Sequence, residues 1–423
     1  MTGHERYPLP RDRFSALYVR DFRIFWIGQV ISFSGTWMQS VAQGWLVYEL
    51  TKSPFYLGLV AAAASLPVLL FTLIGGVVAD RVPKKRLLLV TQTLSMVPAF
   101  LLGVLIQLKI VTVGEIVVIA FFLGLVNAFD VPGRQSFLSE MVQEGHLTNA
   151  IALNSAAFNG ARIVGPVIAG ITIAAAGIAA CFYINAVSFL AAIIALIMIK
   201  GKQGEVVNNG GTRTKVNITV LARDVYEGLR FVNSEKSIFR IMLLVAMFSL
   251  FGIPFITFLP VFAQDILKVG PRGLGFLAGS SGVGSLVAAL LIAYLGNVEK
   301  RGSLMFSSGL VFGVSLAIFS LSRNYDLSAA ALAFAGWGMV SFLAVGNSSI
   351  QLSTPDGLRG RVMSVYALFF LGIAPIGNAL MGFIAHIVGT DRAITIGAAL
   401  CLSAILLSSG RLKKIDRASP WKV

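Results

Sequence analysis

The sequence predicts an all-α membrane protein with twelve transmembrane helices arranged as two parallel six-helix repeats. Of its 423 residues, 56% are hydrophobic and only 13% are charged, about half the charged fraction of a soluble domain. The apolar residues fall in runs of about 20, the length that a helix needs to cross the hydrocarbon core. Because these runs show no two-residue alternation, they do not have the pattern of a membrane β-barrel.

The predicted spans form two sets of six with a hydrophilic stretch between them. We expect an N-terminal tail (1–20), a first six-helix bundle (21–199), a linker (200–237), a second bundle (238–410) and a C-terminal tail (411–423). The tail 1–20 is polar and basic, so no cleavable signal peptide is expected. The spans cover roughly residues 22–48, 55–79, 87–108, 115–137, 149–177, 180–199, 239–263, 272–295, 303–321, 328–352, 362–388 and 391–409.

The positive charges are distributed unevenly about these spans. Most of the 34 lysines and arginines fall on the side that carries both tails, and such an excess marks the cytoplasmic side. We therefore expect a multi-pass protein of the inner membrane with both termini in the cytoplasm, and no nucleic-acid partner despite the net charge of +15. The cations expected on the opposite side are Lys52, Lys109, Lys268, Arg272, Arg323 and Arg392.

The two sets of spans repeat one another. A shift of 217 positions (22 to 239) aligns Phe22–Ile24 with Phe239–Ile241, and a shift of 212 positions (160 to 372) aligns three glycines of the fifth span with three of the eleventh. Two nearly constant shifts in the correct order favour true repetition over coincidence. Parallel repeats of this kind are related by an axis along the membrane normal.

The stretch Gly75–Arg86 joins the second and third spans and is the most distinctive segment. It reads Gly-Gly-Val-Val-Ala-Asp-Arg-Val-Pro-Lys-Lys-Arg and predicts a tight hairpin between neighbouring membrane helices. We expect its glycines to let those two helices approach closely, and Asp80 to cap or face a helix N-terminus. Charge alone would also be typical of an ordinary membrane-edge loop.

Arg162 is the most informative single residue, because it lies near the middle of the fifth span. An unpaired charge at that depth costs at least about 2.5–3.5 kcal/mol. We expect Arg162 to face a central cavity, where it binds an anionic group of the substrate or holds a carboxylate. The alternative is a structural pair or a cation satisfied by backbone carbonyls. Asp130 of the fourth span is the candidate carboxylate partner of Arg162, although Arg134, one turn away from Asp130, is the simpler partner of that residue.

Three further patterns concern the helices themselves. In the first span, polar residues recur every three or four positions and are expected to face inward; interhelical hydrogen bonding is the alternative. In the fifth span, Pro166 is expected to bend or break the helix, while Gly165 and Gly170 permit close crossing. In the seventh span a phenylalanine face suits flat substrates, but its counterpart in the first repeat favours packing or lipid contact. The polar residues proposed for substrate or proton coupling are Gln29, Thr36, Ser40 and Gln43, with Arg162 and Asp130.

The linker contains an amphipathic helix. Over Asn217–Asn233 the apolar residues share one face and the charged residues the other, which predicts a helix lying on the cytoplasmic membrane surface in contact with lipid. The residues of the apolar face are Ile218, Leu221, Val225, Leu229 and Val232.

Several motifs carry a resemblance to a known family. Gly76–Arg86 has the spacing G-x-x-x-D-R-x-x-x-[KR]-R and resembles the loop between helices two and three of major facilitator superfamily transporters, with Pro83 where that family usually has glycine. Ala161–Gly170 resembles the fifth-helix motif of exporters in that superfamily, with Ala169 replacing one glycine. The chain looks most like the branch of bacterial enterobactin exporters and macrolide-efflux permeases. Other stretches that carry this resemblance are Asp130–Arg134, Asp224–Phe231, Leu274–Gly284 and Arg359–Ser364.

The resemblance implies a cavity lined by the first, fourth, seventh and tenth helices. It also implies a cytoplasmic-side gate in which Arg134 joins Asp80 and holds the outward-open state. The residues expected in this gate are Gly76, Asp80, Arg81, Lys85, Arg86 and Arg134.

The expected function is export of a small siderophore-like or drug-like molecule by proton antiport with alternating access. No phosphate-cradling Gly-x-x-x-x-Gly-Lys motif is present, so any active transport is expected to use an ion gradient or a partner. Neither catalysis nor a cofactor or metal site is expected, and the protein is expected to be a monomer surrounded by membrane lipids. The rivals are a facilitator or importer on the same fold, and a membrane sensor or scaffold that transports nothing.

Overall fold

The computed structural model describes residues 15–199, 218–296 and 300–417. Most of the predicted N-terminal tail, the first part of the linker (200–217) and the last six residues (418–423) lie outside the described residues. The tail cations and linker cations counted for the charge asymmetry therefore fall partly outside this range. Three side chains of the predicted apolar face, those of Ile218, Leu221 and Val225, are also outside the description, although their backbone is included.

Six long helices form the first half of the molecule. A single 3₁₀ turn, Ser15–Tyr18, precedes them. They are α1 (Arg20–Thr51), α2 (Pro54–Arg81), α3 (Lys84–Gln107), α4 (Val113–Met141), α5 (Glu144–Ala176) and α6 (Ile178–Met198).

The linker helix and six further membrane helices follow. They are α7 (Ile218–Ser234), α8 (Lys236–Ile266), α9 (Gly270–Leu295), α10 (Arg301–Leu321), α11 (Tyr325–Leu352), α12 (Asp356–Val388) and α13 (Thr390–Arg417).

The predicted all-helical membrane class is confirmed. Within the described residues there is no strand, and 11 helices are long and apolar enough to cross a membrane. The remaining membrane helix, α1, has ample length at 32 residues, but its glutamine, serine and threonine residues lower its apolar content. It nevertheless packs along α5 and α6 as a full member of the first half. Each helix extends a little beyond the predicted span, as when 22–48 becomes Arg20–Thr51.

The two halves use the same packing scheme. In the first half α2 packs on α4, and α6 packs on α1 and α3; in the second, α9 packs on α11, and α13 packs on α8 and α10. The halves contact each other along two seams, α5 against α9 and α2 against α12. This correspondence is the structural counterpart of the repeat in the sequence.

Glycines set the closest crossings within each half. A Cβ at Gly75 of α2 would lie 2.0 Å from the carbonyl oxygen of Ala128 in α4, and a Cβ at Gly284 of α9 would lie 1.7 Å from that of Ala333 in α11. No side chain fits at either position, so backbone packs on backbone. The expectation that the Gly75–Arg86 glycines bring α2 close to α3 was wrong: the partner is α4. A Cβ at Gly76 would meet no atom of another element within 4 Å.

The phenylalanine face of α8 forms the core of the second half. Phe248 stacks on Phe342 with ring centroids 4.1 Å apart, and Phe262 lies over Phe319 at 4.3 Å. These side chains are fully buried and contribute packing, as the repeat comparison favoured. The helix itself is irregular, with a 3₁₀ segment at Ile253–Phe258 between two π segments. Proline within a helix removes a backbone donor, and α8 contains two prolines, which accounts for such irregularity.

The linker helix α7 docks on α12 of the second half. A Cβ at Gly228 would lie 2.7 Å from the carbonyl oxygen of Arg361 in α12. Beside it, Arg361 donates to Glu227 at 2.5 Å, and Val232 is 2% exposed. Leu229, on the same predicted apolar face, is 39% exposed. A glycine and an ion pair therefore determine the contact with α12, and part of the apolar face remains exposed.

Candidate functional site

A cavity of about 290 Å³ lies between the two halves. The first half contributes residues from α1, α2 and α5, and the second half contributes residues from α8 and α9. The implied lining by the first, fourth, seventh and tenth helices holds for α1 and α8; of the described residues, those of α4 and α11 do not line this cavity. Residues of α5 and α9, which pack against each other, line the cavity instead. The polar lining residues are Trp37, Ser40, Gln43, Arg162, Thr257 and Ser281.

Arg162 projects into this cavity from the middle of α5. Its guanidinium carbon lies 5.7 Å from the centroid of the Trp37 ring on α1, a cation–π arrangement. Among the described residues, no carboxylate lies within ion-pair distance of Arg162, and none lines the cavity. The apolar remainder of the wall comes from side chains such as Leu57, Val60 and Leu274.

The predicted polar stripe of α1 divides into two groups. Ser40 and Gln43 line the cavity, whereas the Thr36 hydroxyl donates a hydrogen bond to the Ser32 carbonyl of the same helix at 2.9 Å. Gln29 is 2% exposed and lies inside the first half, where its Oε1 has no hydrogen-bond partner among the described residues. The stripe is therefore a cavity wall at one end, while at the other Thr36 bonds within its own helix and Gln29 is buried inside the first half.

Asp130 belongs to a buried network within the first half. Its carboxylate accepts hydrogen bonds from Thr91 at 2.7 Å and Gln92 at 2.9 Å, and it forms an ion pair with Arg134 one turn along α4. The Arg134 guanidinium also lies 4.6 Å from the Phe33 ring centroid. Asp130 therefore pairs with Arg134, and Arg162 stands apart from both.

The hairpin residues do not form a single cluster in this structure. Asp80 and Arg86 are exposed, and Arg134 pairs with Asp130 instead of Asp80. Lys84 reaches Glu140 at the end of α4 at 2.9 Å. Lys85 donates to the carbonyl of Ile199 at 2.8 Å, so that its charge lies at the C-terminal end of α6, where cations are favourable.

The glycine–proline segment of α5 contacts both halves. A Cβ at Gly165 would lie 2.6 Å from Trp37 Cβ in α1, and one at Gly170 would lie 2.5 Å from the Pro271 carbonyl oxygen in α9. Pro166 lies in the cavity wall. It does not break the helix, which continues from Glu144 to Ala176.

The cavity is closed at one end by contacts between the halves. We call the face that holds the α1–α2 turn the distal face, and the face that holds the α2–α3 turn the terminal face. Toward the distal face, Tyr48 at the end of α1 donates a hydrogen bond to the carboxylate of Asp265 in α8. Nearby, a Cβ at Gly58 of α2 would lie 2.4 Å from the Asn378 carbonyl oxygen of α12.

Sequence reasoning missed Trp37, Tyr48, Thr257, Asp265 and Ser281. One available signal was the repeat itself, since Tyr48 and Asp265 are separated by 217 positions, the shift that aligns the two halves. Trp37 and Ser281 carried no such signal, because only the crossing of α1, α5 and α9 brings them beside Arg162.

The comparison with protein-family models decides the family. The model of the transmembrane secretion effector family matches residues 12–421, nearly the whole chain. The chain belongs to this family. It is an efflux or secretion transporter of the major facilitator type, a multi-pass membrane protein whose family and fold are those of transporters and not of enzymes.

Curated relatives span the same length. The chain is 22% identical over 396 residues to the staphyloferrin A transporter of Staphylococcus aureus, covering 93% of this chain and 97% of that protein. It is also 22% identical to macrolide efflux protein A of Streptococcus pyogenes, over 93% of this chain and 97% of the relative. A third relative is the multidrug efflux pump Tap of Mycolicibacterium fortuitum, 26% identical over 91% of this chain and 95% of the pump.

Solved structures share the fold. A bacterial homologue of the human lysosomal transporter Spinster, in an inward-facing and unoccupied conformation, superposes with a TM-score of 0.72 at 13% identity, covering 95% of this chain and 98% of that one. The nucleoside transporter NupG gives a TM-score of 0.68 at 14% identity, over 94% and 98%. These likenesses confirm the major facilitator architecture with its two six-helix repeats.

Proposed function

We propose that this chain exports a small organic molecule, siderophore-like or drug-like, across the inner membrane by proton antiport with alternating access. The relatives named for a siderophore, for macrolides and for multidrug efflux support export of such compounds. The proposal places the terminal face, and with it both chain termini, in the cytoplasm.

The observation that carries the proposal is a cavity held between two halves that contact each other toward the distal face. The lining residue Arg162 lies near the middle of α5, and the contacts Tyr48–Asp265 and Gly58–Asn378 lie toward the helix ends. A site between two rocking bundles is the arrangement that alternating access requires. With the terminal face in the cytoplasm, this is the inward-facing state of the cycle.

Coupling and gating are assigned to charged residues of the first half. Asp130, buried and paired with Arg134, is the proposed proton-coupling carboxylate, and the lining residues Ser40, Gln43 and Arg162 are the proposed substrate contacts. The proposed gate consists of the same six residues that were expected from the sequence: Gly76, Asp80, Arg81, Lys85, Arg86 and Arg134. In the outward-open state Arg134 would exchange Asp130 for Asp80, and closing the terminal face would bring the α2–α3 turn toward the second half.

Proton flux in inverted membrane vesicles tests this function. A preformed proton gradient is challenged with siderophores, macrolides and other amphipathic compounds, using vesicles without the protein as the blank. We expect at least one compound to dissipate the gradient in a protein-dependent manner, and Asp130→Asn to reduce the effect. A correctly folded chain that moves no protons with any compound would overturn the antiport proposal.

Two outcomes would favour the rival functions. Protein-dependent accumulation of a compound inside intact cells, without proton movement, would indicate a facilitator or importer. Full cellular function of an Arg162→Ala variant that binds and moves nothing would indicate a sensor or scaffold.

A further inference from the structure

We propose that the cavity between the halves selects organic anions, and that Arg162 is the residue that binds the anionic group. This inference deepens the proposed export function by naming the charge class of its substrate. It rests on the composition of the cavity wall and on the place of Arg162 at the junction of the two halves.

The first observation is a charge without a counter-charge. Arg162 is the one charged residue among the described residues that line the cavity, and no carboxylate among them pairs with it. Acidic groups near the first half are already engaged, since Asp130 is held by Thr91, Gln92 and Arg134. A guanidinium in a low-dielectric cavity gains strongly from an incoming carboxylate, because its fork of N–H donors binds such a group bidentately.

The second observation is that the polar groups around Arg162 fit an oxygen-rich anion. Ser281 Oγ is buried and has no hydrogen-bond partner among the described residues, and Ser40 and Gln43 also line the cavity. A buried hydroxyl without a partner is unfavourable, so a ligand oxygen placed between Ser281 and Arg162 would satisfy it. The Trp37 ring, which also lines the cavity, lies 5.7 Å from the guanidinium carbon and offers an aromatic surface beside the bound anion.

The third observation is that the remaining wall is apolar. Leu57, Val60, Ala64, Leu274 and Ala278 also line the cavity. Such a wall suits the carbon skeleton of an amphipathic anion, and the volume of about 290 Å³ is near the lower end of small-molecule sites. A simple inorganic anion would leave this apolar surface uncovered.

The position of Arg162 links binding to the two halves. A Cβ at Gly282 of α9 would lie 2.9 Å from the Arg162 carbonyl oxygen, so α5 and α9 touch at the residue that carries the charge. A ligand bound by both Arg162 of α5 and Ser281 of α9 would bridge the first half and the second half. Separation of the halves on one side would then change the set of groups that the anion contacts, which is how binding energy can bias a conformational equilibrium.

Calorimetric binding to the purified full chain in nanodiscs tests the inference, with empty nanodiscs as the blank for partitioning. The probes share one skeleton and differ in charge: 1-naphthoate, its methyl ester and 1-naphthylmethylammonium. We expect the carboxylate to bind at least about tenfold more tightly than the ester and the ammonium compound to bind more weakly still. Arg162→Gln should abolish the preference, while Arg162→Lys should retain part of it because the charge remains.

Lys109→Gln is the matched control, since Lys109 is an exposed cation of the same half, away from the cavity. It should keep the preference for the carboxylate, whereas a loss equal to that of Arg162→Gln would attribute the effect to net charge and overturn the proposal. Size-exclusion chromatography checks that each variant is folded; if Arg162→Gln fails to fold, Arg162→Lys and Ser281→Ala carry the test through weakened carboxylate binding.

The outcomes separate this inference from the proposed export function. If the protein moves neutral or cationic compounds in vesicles and binds the ester as tightly as the carboxylate, export stands and the anion assignment is overturned. If it binds the carboxylate through Arg162 but transports nothing, the anion site is supported and export is overturned.

Discussion

Tyr48 and Asp265 join the two halves by a hydrogen bond between equivalent positions of the two repeats. The Tyr48 hydroxyl donates to the Asp265 carboxylate, and the residues are 217 positions apart, the shift that relates Phe22 to Phe239. Residues related by an axis along the membrane normal meet when they lie near that axis. The two repeats carry different residues at this position, a phenol in the first and a carboxylate in the second. Equivalent positions can therefore form a donor–acceptor pair, which two identical side chains of either kind would not form as well.

Loss of this hydrogen bond should favour opening at the distal face. Tyr48→Phe and Asp265→Asn each remove or weaken a hydrogen bond to a charged acceptor, an effect of about 1–2 kcal/mol. We expect a several-fold increase in the distal-open population. Spin labels placed on the distal ends of α2 and α12, with distances measured by pulsed electron resonance, report that population.

Glu49→Gln is the matched control for this pair. Glu49 is a neighbouring exposed carboxylate of α1, so its substitution changes the charge of the distal face without removing the hydrogen bond. An unchanged distance distribution in Tyr48→Phe, or an equal shift in Glu49→Gln, would contradict a latch at Tyr48–Asp265.

Adjacent glycines of α2 should respond oppositely to alanine. Gly75→Ala places a methyl group 2.0 Å from the Ala128 carbonyl oxygen, and forcing α2 and α4 apart should lower the free energy of unfolding by about 1–3 kcal/mol. Gly76→Ala meets nothing within 4 Å and should be neutral or slightly stabilising, since alanine favours the helix. Thermal unfolding in detergent measures both.

The same pair tests the gate predicted from sequence. Loss of transport in Gly76→Ala without loss of stability would support a role for Gly76 in a terminal-face contact of another conformation. If Gly76→Ala is stable and transports normally, Gly76 has no part in the gate.

Removing the charge of Asp130 should destabilise the first half. Asp130→Asn leaves the buried Arg134 guanidinium without its counter-ion, at a cost of about 3–5 kcal/mol. Asp130→Asn with Arg134→Gln should recover part of this loss, giving a favourable coupling energy in a double-mutant cycle. Glu140→Gln, which breaks the more exposed Lys84–Glu140 pair, should cost less than about 1 kcal/mol. Equal losses in Asp130→Asn and Glu140→Gln would contradict the buried pair.

Docking of the linker helix should depend on the ionised form of Glu227. The hydrogen bond from Arg223, together with the charges of Arg361 and Arg223, holds the pKa of the Glu227 carboxyl below its ordinary value. Arg223 lies on α7 itself, so of these groups only Arg361 of α12 couples the ionisation of Glu227 to docking. The contribution of the Arg361 pair is present while Glu227 is ionised and is lost as the pH falls through the lowered pKa. A spin label at the exposed position 226, introduced as Tyr226→Cys, should therefore become more mobile only in that acidic range.

Two substitutions sharpen this prediction. In the labelled protein, Glu227→Gln should raise the mobility already at neutral pH, because the carboxylate is absent at every pH. Glu235→Gln, which removes an exposed carboxylate just beyond α7, should not. Mobility that rises equally in the two variants would show that Glu227 does not hold α7 on α12.

The class of fold and the positions of the helices were predictable from sequence because they depend on local properties. A backbone segment in hydrocarbon must satisfy its own hydrogen bonds, so apolar length alone defines each helix, as for the span 55–79 and α2 (Pro54–Arg81). The repeat was predictable for the same reason, since equivalent helices keep equivalent glycines. The midpoint location of Arg162 in α5 followed directly from counting residues along the span.

The partners of individual side chains were decided only by the tertiary structure. Spacing along a helix does not state how neighbouring helices are rotated, and that rotation selects Gly75 over Gly76 as the crossing point and turns Arg162 toward Trp37. The Gly228 and Glu227 contacts of α7 likewise needed the position of α12. Thus the sequence by itself determined a twelve-helix transporter with a charge in its middle, because burial in lipid acts on each segment separately. The packing of the two halves decided what that charge faces, because contacts between helices depend on the whole assembly.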